Sequence, residues 1–304
     1  MSNRVAVVVD SGASLSPDAA DHPQMWTVPM QLTIGDRTYH DGRDLTPAEF
    51  YRMLPSINGL VTTSAPAPAA YAEAFASAAA EHSAILCLTV SRHVSSSYES
   101  ARTAADNSSE EHRIDVIDTE SAAGGEGLLA TEALRAARSG AGLDDVAATV
   151  KGLIPRVRLL AFLDTLYYVW KSGRVPRLAY LGSSLLKIKP LLELTQGDVR
   201  PIERPRTARR ASQRMIELMR DDVRDSAIHA TVMHGDDAES ADALRRRVEA
   251  EFDCKELFVS QFSPVMGAHT GPGLVGVAWW RELSDESTQQ SEALIGHTLP
   301  LSSR

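Results

Sequence analysis

The run Ala84-Ile85-Leu86-Cys87-Leu88-Thr89-Val90 constrains this chain more than any other stretch. It is too short for an ordinary helix and too apolar for a strand with one wet face, so it reads as a parallel strand buried on both sides. Tyr98, Ala101, Ala104 and Ala105 then recur at helical spacing, which leaves Ser95, Ser96 and Ser97 between strand and helix. In an open α/β sheet such a joint lies at the carboxyl end of the strand and the amino end of the helix, where unpaired N–H groups and the helix dipole favour an anion. A lone serine there commonly caps the helix; three in a row exceed what a cap requires.

The pattern recurs along the first half. Apolar residues 5–9 end in Asp10-Ser11-Gly12-Ala13-Ser14, and 114–117 end in Asp118-Thr119-Glu120-Ser121 before Gly124, Gly125 and Gly127 open a helix over 128–137. Residues 26–34 read as one strand closed by a Gly35-Asp36 turn, and Thr46-Pro47-Ala48-Glu49 carries the cap, proline and acid of a helix start. Val61-Thr62-Thr63-Ser64-Ala65-Pro66 brings hydroxyls to the head of an Ala-rich helix over 69–80. Four strand ends bearing Asp, Ser or Thr converge, in a parallel sheet, on one edge and line a single crevice. The glycines at 124–127 fall short of a dinucleotide fingerprint and no P-loop lysine pattern occurs, so a nucleotide site is not supported.

A net charge of -9 without a long basic cluster argues against a nucleic-acid footprint. Only Cys87 and Cys254 are present, which fits a reducing compartment rather than a disulfide framework. No signal peptide precedes the first strand and no run approaches the roughly 18 apolar residues of a membrane span, so the expected location is cytoplasmic. The nine histidines are dispersed, His229 and His234 lack a convincing ligand set, and no metal site is expected. His234-Gly235-Asp236-Asp237 reads as a turn and helix cap.

The second half begins after a helix over 143–153 that leads through Pro155 into a strand over 157–163. Residues 185–194 resemble a strand entering a hairpin at Gln196-Gly197-Asp198; 228–233 and 256–261 are strands around a helix over 238–252, and an apolar strand over 274–280 follows a glycine-flanked loop, 267–273, that carries His269. These elements predict an α/β chain divided as 1–156, 157–283 and a loose polar tail over 284–304.

With these residues in view, the chain resembles the DegV family of bacterial fatty-acid-binding proteins. Asp10-Ser11-Gly12-Ala13-Ser14 is similar to the family's Asp-Ser-Thr-Ser-Asp turn, Thr63-Ser64-Ala65-Pro66 to its Thr-Ser-Gln-Pro, and Ser95-Ser96-Ser97-Tyr98-Glu99-Ser100-Ala101 to its Ser-Gly-Thr-Tyr-Gln-Ser-Ala. Asp164-Thr165-Leu166, Lys171-Ser172-Gly173-Arg174, Leu186-Lys187-Ile188-Lys189-Pro190 and His269-Thr270-Gly271-Pro272-Gly273 follow in the family's order. The resemblance implies two α/β domains, the first with a mainly parallel sheet flanked by helices and the second with a mixed sheet and helices. It implies one fatty acid near their interface and no cofactor. It also implies a separate ATP-dependent fatty acid kinase as partner, which converts the carboxylate to an acyl phosphate; this chain is then the carrier, not the enzyme.

Carried over by motif position, the resemblance implies that Thr63, Ser64, Ser95 and Ser97 hold the carboxylate, with His269 and Thr270 approaching from the second domain; Ser96 joins the candidate ligand-binding residues, and Arg174, Arg206, Arg209 and Arg210 are candidates for contact with the partner or nascent phosphate, with a solvated face as the plain alternative. Ser96 and Ser97 stand where the family has Gly and Thr, which keeps a hydroxyl and adds a Cβ beside it. Two other classes use the same residues. A serine hydrolase would employ Ser97 and His269, although no Gly-x-Ser-x-Gly elbow occurs, and a small-metabolite sensor would use the same crevice with no kinase.

Overall fold

The computed structural model describes residues 5–57, 59, 61–108, 112–173 and 188–282; Arg174, residues 185–187 and the expected tail over 284–304 lie outside the described residues. In chain order the elements are β1 (Val5–Asp10), α1 (Pro17–Ala20), β2 (Met25–Val28), β3 (Gln31–Ile34), β4 (Arg37–His40), α2 (Pro47–Met53), β5 (Val61–Ser64), α3 (Pro68–Ala79), β6 (Ala84–Thr89), α4 (Ser97–Asp106), β7 (Arg113–Asp118), α5 (Ala123–Arg138) and α6 (Leu143–Leu153). There follow β8 (Arg158–Phe162), α7 (Tyr167–Ser172), β9 (Leu191–Thr195), β10 (Asp198–Glu203), α8 (Ala208–Val223), β11 (Ile228–Gly235), α9 (Ala238–Glu251), β12 (Cys254–Gln261), α10 (Pro264–Thr270) and β13 (Leu274–Arg281).

The apolar runs form the expected parallel sheet, in the order β2-β1-β6-β7. Every residue of β1 and β6 is buried, because Val5, Val7, Val9, Leu86 and Leu88 face one layer while Ala6, Val8, Ile85 and Cys87 pack under Tyr71, Phe75, Ala101 and Ala104 of α3 and α4. Such two-sided cover is what produces a continuous apolar strand rather than an alternating one. The six-stranded sheet, β10-β9-β8-β13-β11-β12, is mixed: β11 and β12 run parallel and its other neighbours antiparallel. Met215, Ile216, Met219, Leu244 and Val248 of α8 and α9 cover one face of it.

The other face turns toward the first sheet, with α5 between them. The first half of α5 is buried all round, an arrangement available only to a helix packed on both sides. This gives its glycines a role other than nucleotide binding. A Cβ on Gly124 would stand 2.4 Å from Cγ2 of Thr231 in the second sheet, and one on Gly127 would stand 2.1 Å from the carbonyl oxygen of Ser14 in the β1 loop.

Three sequence expectations are corrected. Residues 26–34 are two strands, since Pro29-Met30 breaks the run, and β2 joins the parallel sheet while β3 pairs with β4 and β5 in a small antiparallel sheet. Thr63 and Ser64 therefore end an antiparallel strand, and three polar strand ends, not four, share the parallel sheet edge. The segment around His269 is helix α10 rather than a loop: Ser263 caps it by accepting from Met266 N–H, Pro264 occupies its first turn, and Gly271 ends it at φ 74°. The helix at 47–53 begins as expected, with Thr46 and Glu49 forming a reciprocal capping box.

Candidate ligand cavity between the sheets

A cavity opens where the parallel sheet, the small sheet, β8, β9 and α10 meet, with a volume of about 1060 Å³ when the open solvent at its mouth is included. Met30, Val90, Val94, Leu159, Ala161, Leu163, Leu192, Leu194, Phe262 and Leu274 supply most of its wall. Walls so poor in polar groups favour a ligand that is mostly hydrocarbon. The polar lining residues are few: Thr63, Ser64, Ser95, His269 and Thr270, with Ser172 and Glu193.

Thr63 sits at an inward position of β5, opposite Leu32 of β3, and its Oγ1 lies 2.8 Å from Nε2 of His269. A hydroxyl from the first half of the chain and an imidazole from the second thus meet on the cavity wall. Thr270 also lines it, its hydroxyl donating to the Met266 carbonyl at 3.0 Å. Of the three consecutive serines, Ser95 alone lines the cavity. Ser96 is exposed, whereas Ser97 is fully buried behind Ser95 with the two hydroxyl oxygens 3.0 Å apart. Ser95 Oγ also accepts Ser97 N–H at 3.2 Å, the local turn that a serine before a helix is suited to make.

The scaffold under these groups is the Asp10-Ser11 pair. Asp10 Oδ1 accepts Gly12 N–H at 2.9 Å and Oδ2 accepts Val90 N–H at 3.0 Å, so one carboxylate joins the ends of β1 and β6 just before the serine turn. Burial pushes Asp10 up to about 6 even though those donors and the facing Ser97 hydroxyl pull it down. Ser11 Oγ accepts Met30 N–H at 3.0 Å and donates to Asp41 Oδ2 at 2.6 Å, and Asp41 Oδ1 accepts Val265 N–H at 3.0 Å in the first turn of α10. Burial raises Asp41 as well, against the Ser11 and Val265 donors. Two adjacent side chains thereby tie elements of the cavity wall together: Asp10 the ends of β1 and β6, and Ser11, through Asp41, the helix carrying His269. Sequence reading quoted Asp10 and Ser11 as a motif without this role and passed over Asp41, which lies 224 residues from its partner Val265.

The remaining candidates lie elsewhere. Arg206, Arg209 and Arg210 are exposed around the amino end of α8 and do not line the cavity. Asp118 and Thr119 hold the β7 loop together, with Asp118 Oδ1 accepting Glu120 N–H at 2.9 Å and the Thr119 hydroxyl donating to the Thr89 carbonyl at 2.8 Å. His234 accepts Asp237 N–H, and Asp237 caps α9, as the turn reading expects. His229 differs from expectation: Glu132 and Glu256 approach it, with ligand-type atoms all within 4.8 Å of one another. Arg135 pairs with both carboxylates and the imidazole stacks on Trp280 at 4.1 Å, so the counter-charge a cation would bring is already supplied by an arginine.

The fold and cavity define a three-sheet α/β protein with a largely apolar pocket whose wall carries a few hydroxyls and a histidine. The chain belongs to the DegV family, whose sequence model, described as one of uncharacterised proteins, matches residues 4–282. It is 30% identical over 283 residues to a DegV domain-containing protein of Halalkalibacterium halodurans, covering 92% of this chain and 99% of that one. A DegV family protein from Thermus thermophilus, described for its fatty acid binding, matches with a TM-score of 0.85 and 27% identity over 92% of this chain and 100% of its own. The Fatty Acid Kinase (Fak) B3 protein of Streptococcus pneumoniae, solved loaded with linoleic acid, matches with a TM-score of 0.82 over 92% and 100% at 18% identity, a likeness of fold.

Proposed function

We propose that this protein binds a long-chain fatty acid in the cavity and presents its carboxylate to a separate ATP-dependent fatty acid kinase. The observation that carries the reading is the Thr63–His269 contact on the wall of an otherwise apolar pocket. It offers polar partners to one end of a ligand and hydrocarbon to the rest. Thr63, Ser64, Ser95, His269 and Thr270 form the head-group site; Ser96 and Ser97 do not line it and serve the turn that holds Ser95. The two free cysteines, one buried in β6, fit a cytoplasmic carrier. Arg206, Arg209 and Arg210 stand near the positive end of the α8 dipole with no ion-pair partner among the described residues. Helix stability does not favour cations there, and contact with a phosphorylated group or a partner protein accounts for them. Arg174, a candidate for the same role, lies outside the described residues.

A hydrolase built on Ser97 is not supported, because that hydroxyl is fully buried and does not line the cavity. The carrier reading is tested with the kinase, ATP and bound palmitate. His269→Ala is expected to lower acyl phosphate formation at least tenfold, about 1.4 kcal/mol of barrier, while palmitate affinity changes less, because phosphorylation adds negative charge beside the imidazole. Equal loss of both would make His269 a ground-state ligand only. Absence of any acyl phosphate from palmitate-loaded wild type would remove the kinase from the proposal.

A further inference from the structure

At the far end of the six-stranded sheet from the cavity, side chains from three elements turn toward one point. Register places two of them: His229 of β11 stands opposite Glu256 of the parallel β12 and opposite Trp280 of the antiparallel β13. The third is Glu132 of α5, the helix whose Gly124 packs against Thr231 and Met233 of β11. Trp280 lies six positions along β13 from Leu274 on the cavity wall, roughly 20 Å at about 3.4 Å per residue, so this cluster is separate from the cavity. The imidazole is held in place. It stacks on Trp280 at 4.1 Å with the rings 5° from parallel, and its Nε2 lies 3.4 Å from Glu282 Oε1. With the Nε2 proton assigned to that contact, the Nδ1 lone pair faces Glu132 Oε1 at 3.6 Å and Glu256 Oε2 at 3.4 Å. A carboxylate behind the ring and donor atoms in front of it is how proteins orient a metal-binding histidine.

We propose that Glu132, His229 and Glu256 form a site for a divalent transition-metal ion of the zinc type, which takes the place Arg135 holds in the metal-free chain. Bonds of about 2.0–2.2 Å to nitrogen and oxygen put neighbouring donors of a tetrahedral ion roughly 3.3–3.5 Å apart, close to the two separations from Nδ1. Ligand-type atoms of the three residues lie within 4.8 Å of one another, and Glu132 and His229 are buried, unlike an open acidic patch. One imidazole with two carboxylates suits zinc better than magnesium or calcium, which take oxygen donors. Arg135 pairs with the same Glu132 Oε1 and Glu256 Oε2 that face Nδ1, so it already stands where a cation is favoured. It brings one positive charge to two carboxylates, and its half-exposed side chain can turn out into solvent. A divalent ion meets both charges and leaves a fourth position for water. Since Glu132 lies on α5 and the other two ligands on the six-stranded sheet, the ion would tie that helix to the sheet.

Zinc chloride titrated calorimetrically into the untagged full chain is expected to bind as one ion per chain. His229→Gln should weaken that binding roughly tenfold or more, the least that loss of even an outer partner commonly costs. Arg135→Gln should tighten it about threefold or more, because a half-exposed ion pair no longer competes. Zinc at about a hundred times its Kd should raise the folded-to-unfolded ratio in urea about a hundredfold in wild type and much less in His229→Gln. Cobalt(II) in place of zinc should show the visible absorption of tetrahedral coordination. If His229→Gln does not fold, Glu256→Gln on the edge strand β12 carries the same expectation. Wild type that binds no zinc overturns the site, as does zinc binding unchanged in the ligand variant, which would put the ion on other histidines. Weaker binding in Arg135→Gln, or magnesium bound as tightly as zinc, also overturns it.

Discussion

Octanoate is expected to bind at least four orders of magnitude more weakly than palmitate. Eight fewer methylenes at about 0.8 kcal/mol each remove about 6 kcal/mol of transfer free energy, and each 1.4 kcal/mol is tenfold in Kd. A charge-assisted hydrogen bond nets only about 1.5–3 kcal/mol, so on the proposed reading Thr63, Ser95 and His269 would orient the acid while the wall of Leu159, Ala161, Leu192 and Leu194 would hold it. Titration of both acids against one preparation measures the difference. Octanoate within tenfold of palmitate would mean that the apolar wall does not receive the chain.

Gly127→Ala is expected to destabilise the protein by about 3 kcal/mol or more, although alanine favours a helix over glycine by about 1 kcal/mol. The added Cβ meets backbone, 2.1 Å from the Ser14 carbonyl oxygen and 2.7 Å from its carbon, so no side-chain rotation relieves it. Nor is the β1 loop free to retreat: Ser14 N–H donates to the Ala123 carbonyl at 3.0 Å and Ala123 N–H to that of Gly12 at 3.0 Å. Gly152→Ala on the exposed side of α6, where a Cβ meets nothing within 4 Å, is the matched comparison and should gain up to about 1 kcal/mol. Urea unfolding of the pair checks both signs; a Gly127→Ala protein as stable as wild type would show that α5 packs less closely against the β1 loop than described.

The parallel sheet was legible because two-sided burial writes itself into β1 and β6 as unbroken apolar runs, and the capping box of α2 and the first-turn proline of α3 carried their own local chemistry. The small sheet was not, since Pro29 separates two strands that together read as one, and nothing local says that β3 leaves β2 for β5. At the site, the motif residues Thr63, Ser95, His269 and Thr270 do come to one cavity. The direction of each serine could not be read, because a turn places Ser95, Ser96 and Ser97 toward cavity, solvent and core respectively, and three adjacent serines carry no mark of which way each faces. The Ser11–Asp41–Val265 link is likewise a product of tertiary structure, with no spacing that marks it. The three glycines in α5 resembled a fragment of a nucleotide fingerprint until the close approach of two sheets gave them a packing cause.

The central claim, an acyl chain in the cavity with its carboxylate at the hydroxyl-and-histidine end, is tested most directly by mass spectrometry of the organic extract from freshly purified protein. The account predicts one long-chain fatty acid per protein molecule, displaced by added palmitate and lost from a protein in which Ala161→Trp fills the cavity. An extract without fatty acid, together with no binding of added palmitate, would contradict it, as would a stoichiometric sugar or nucleotide in its place.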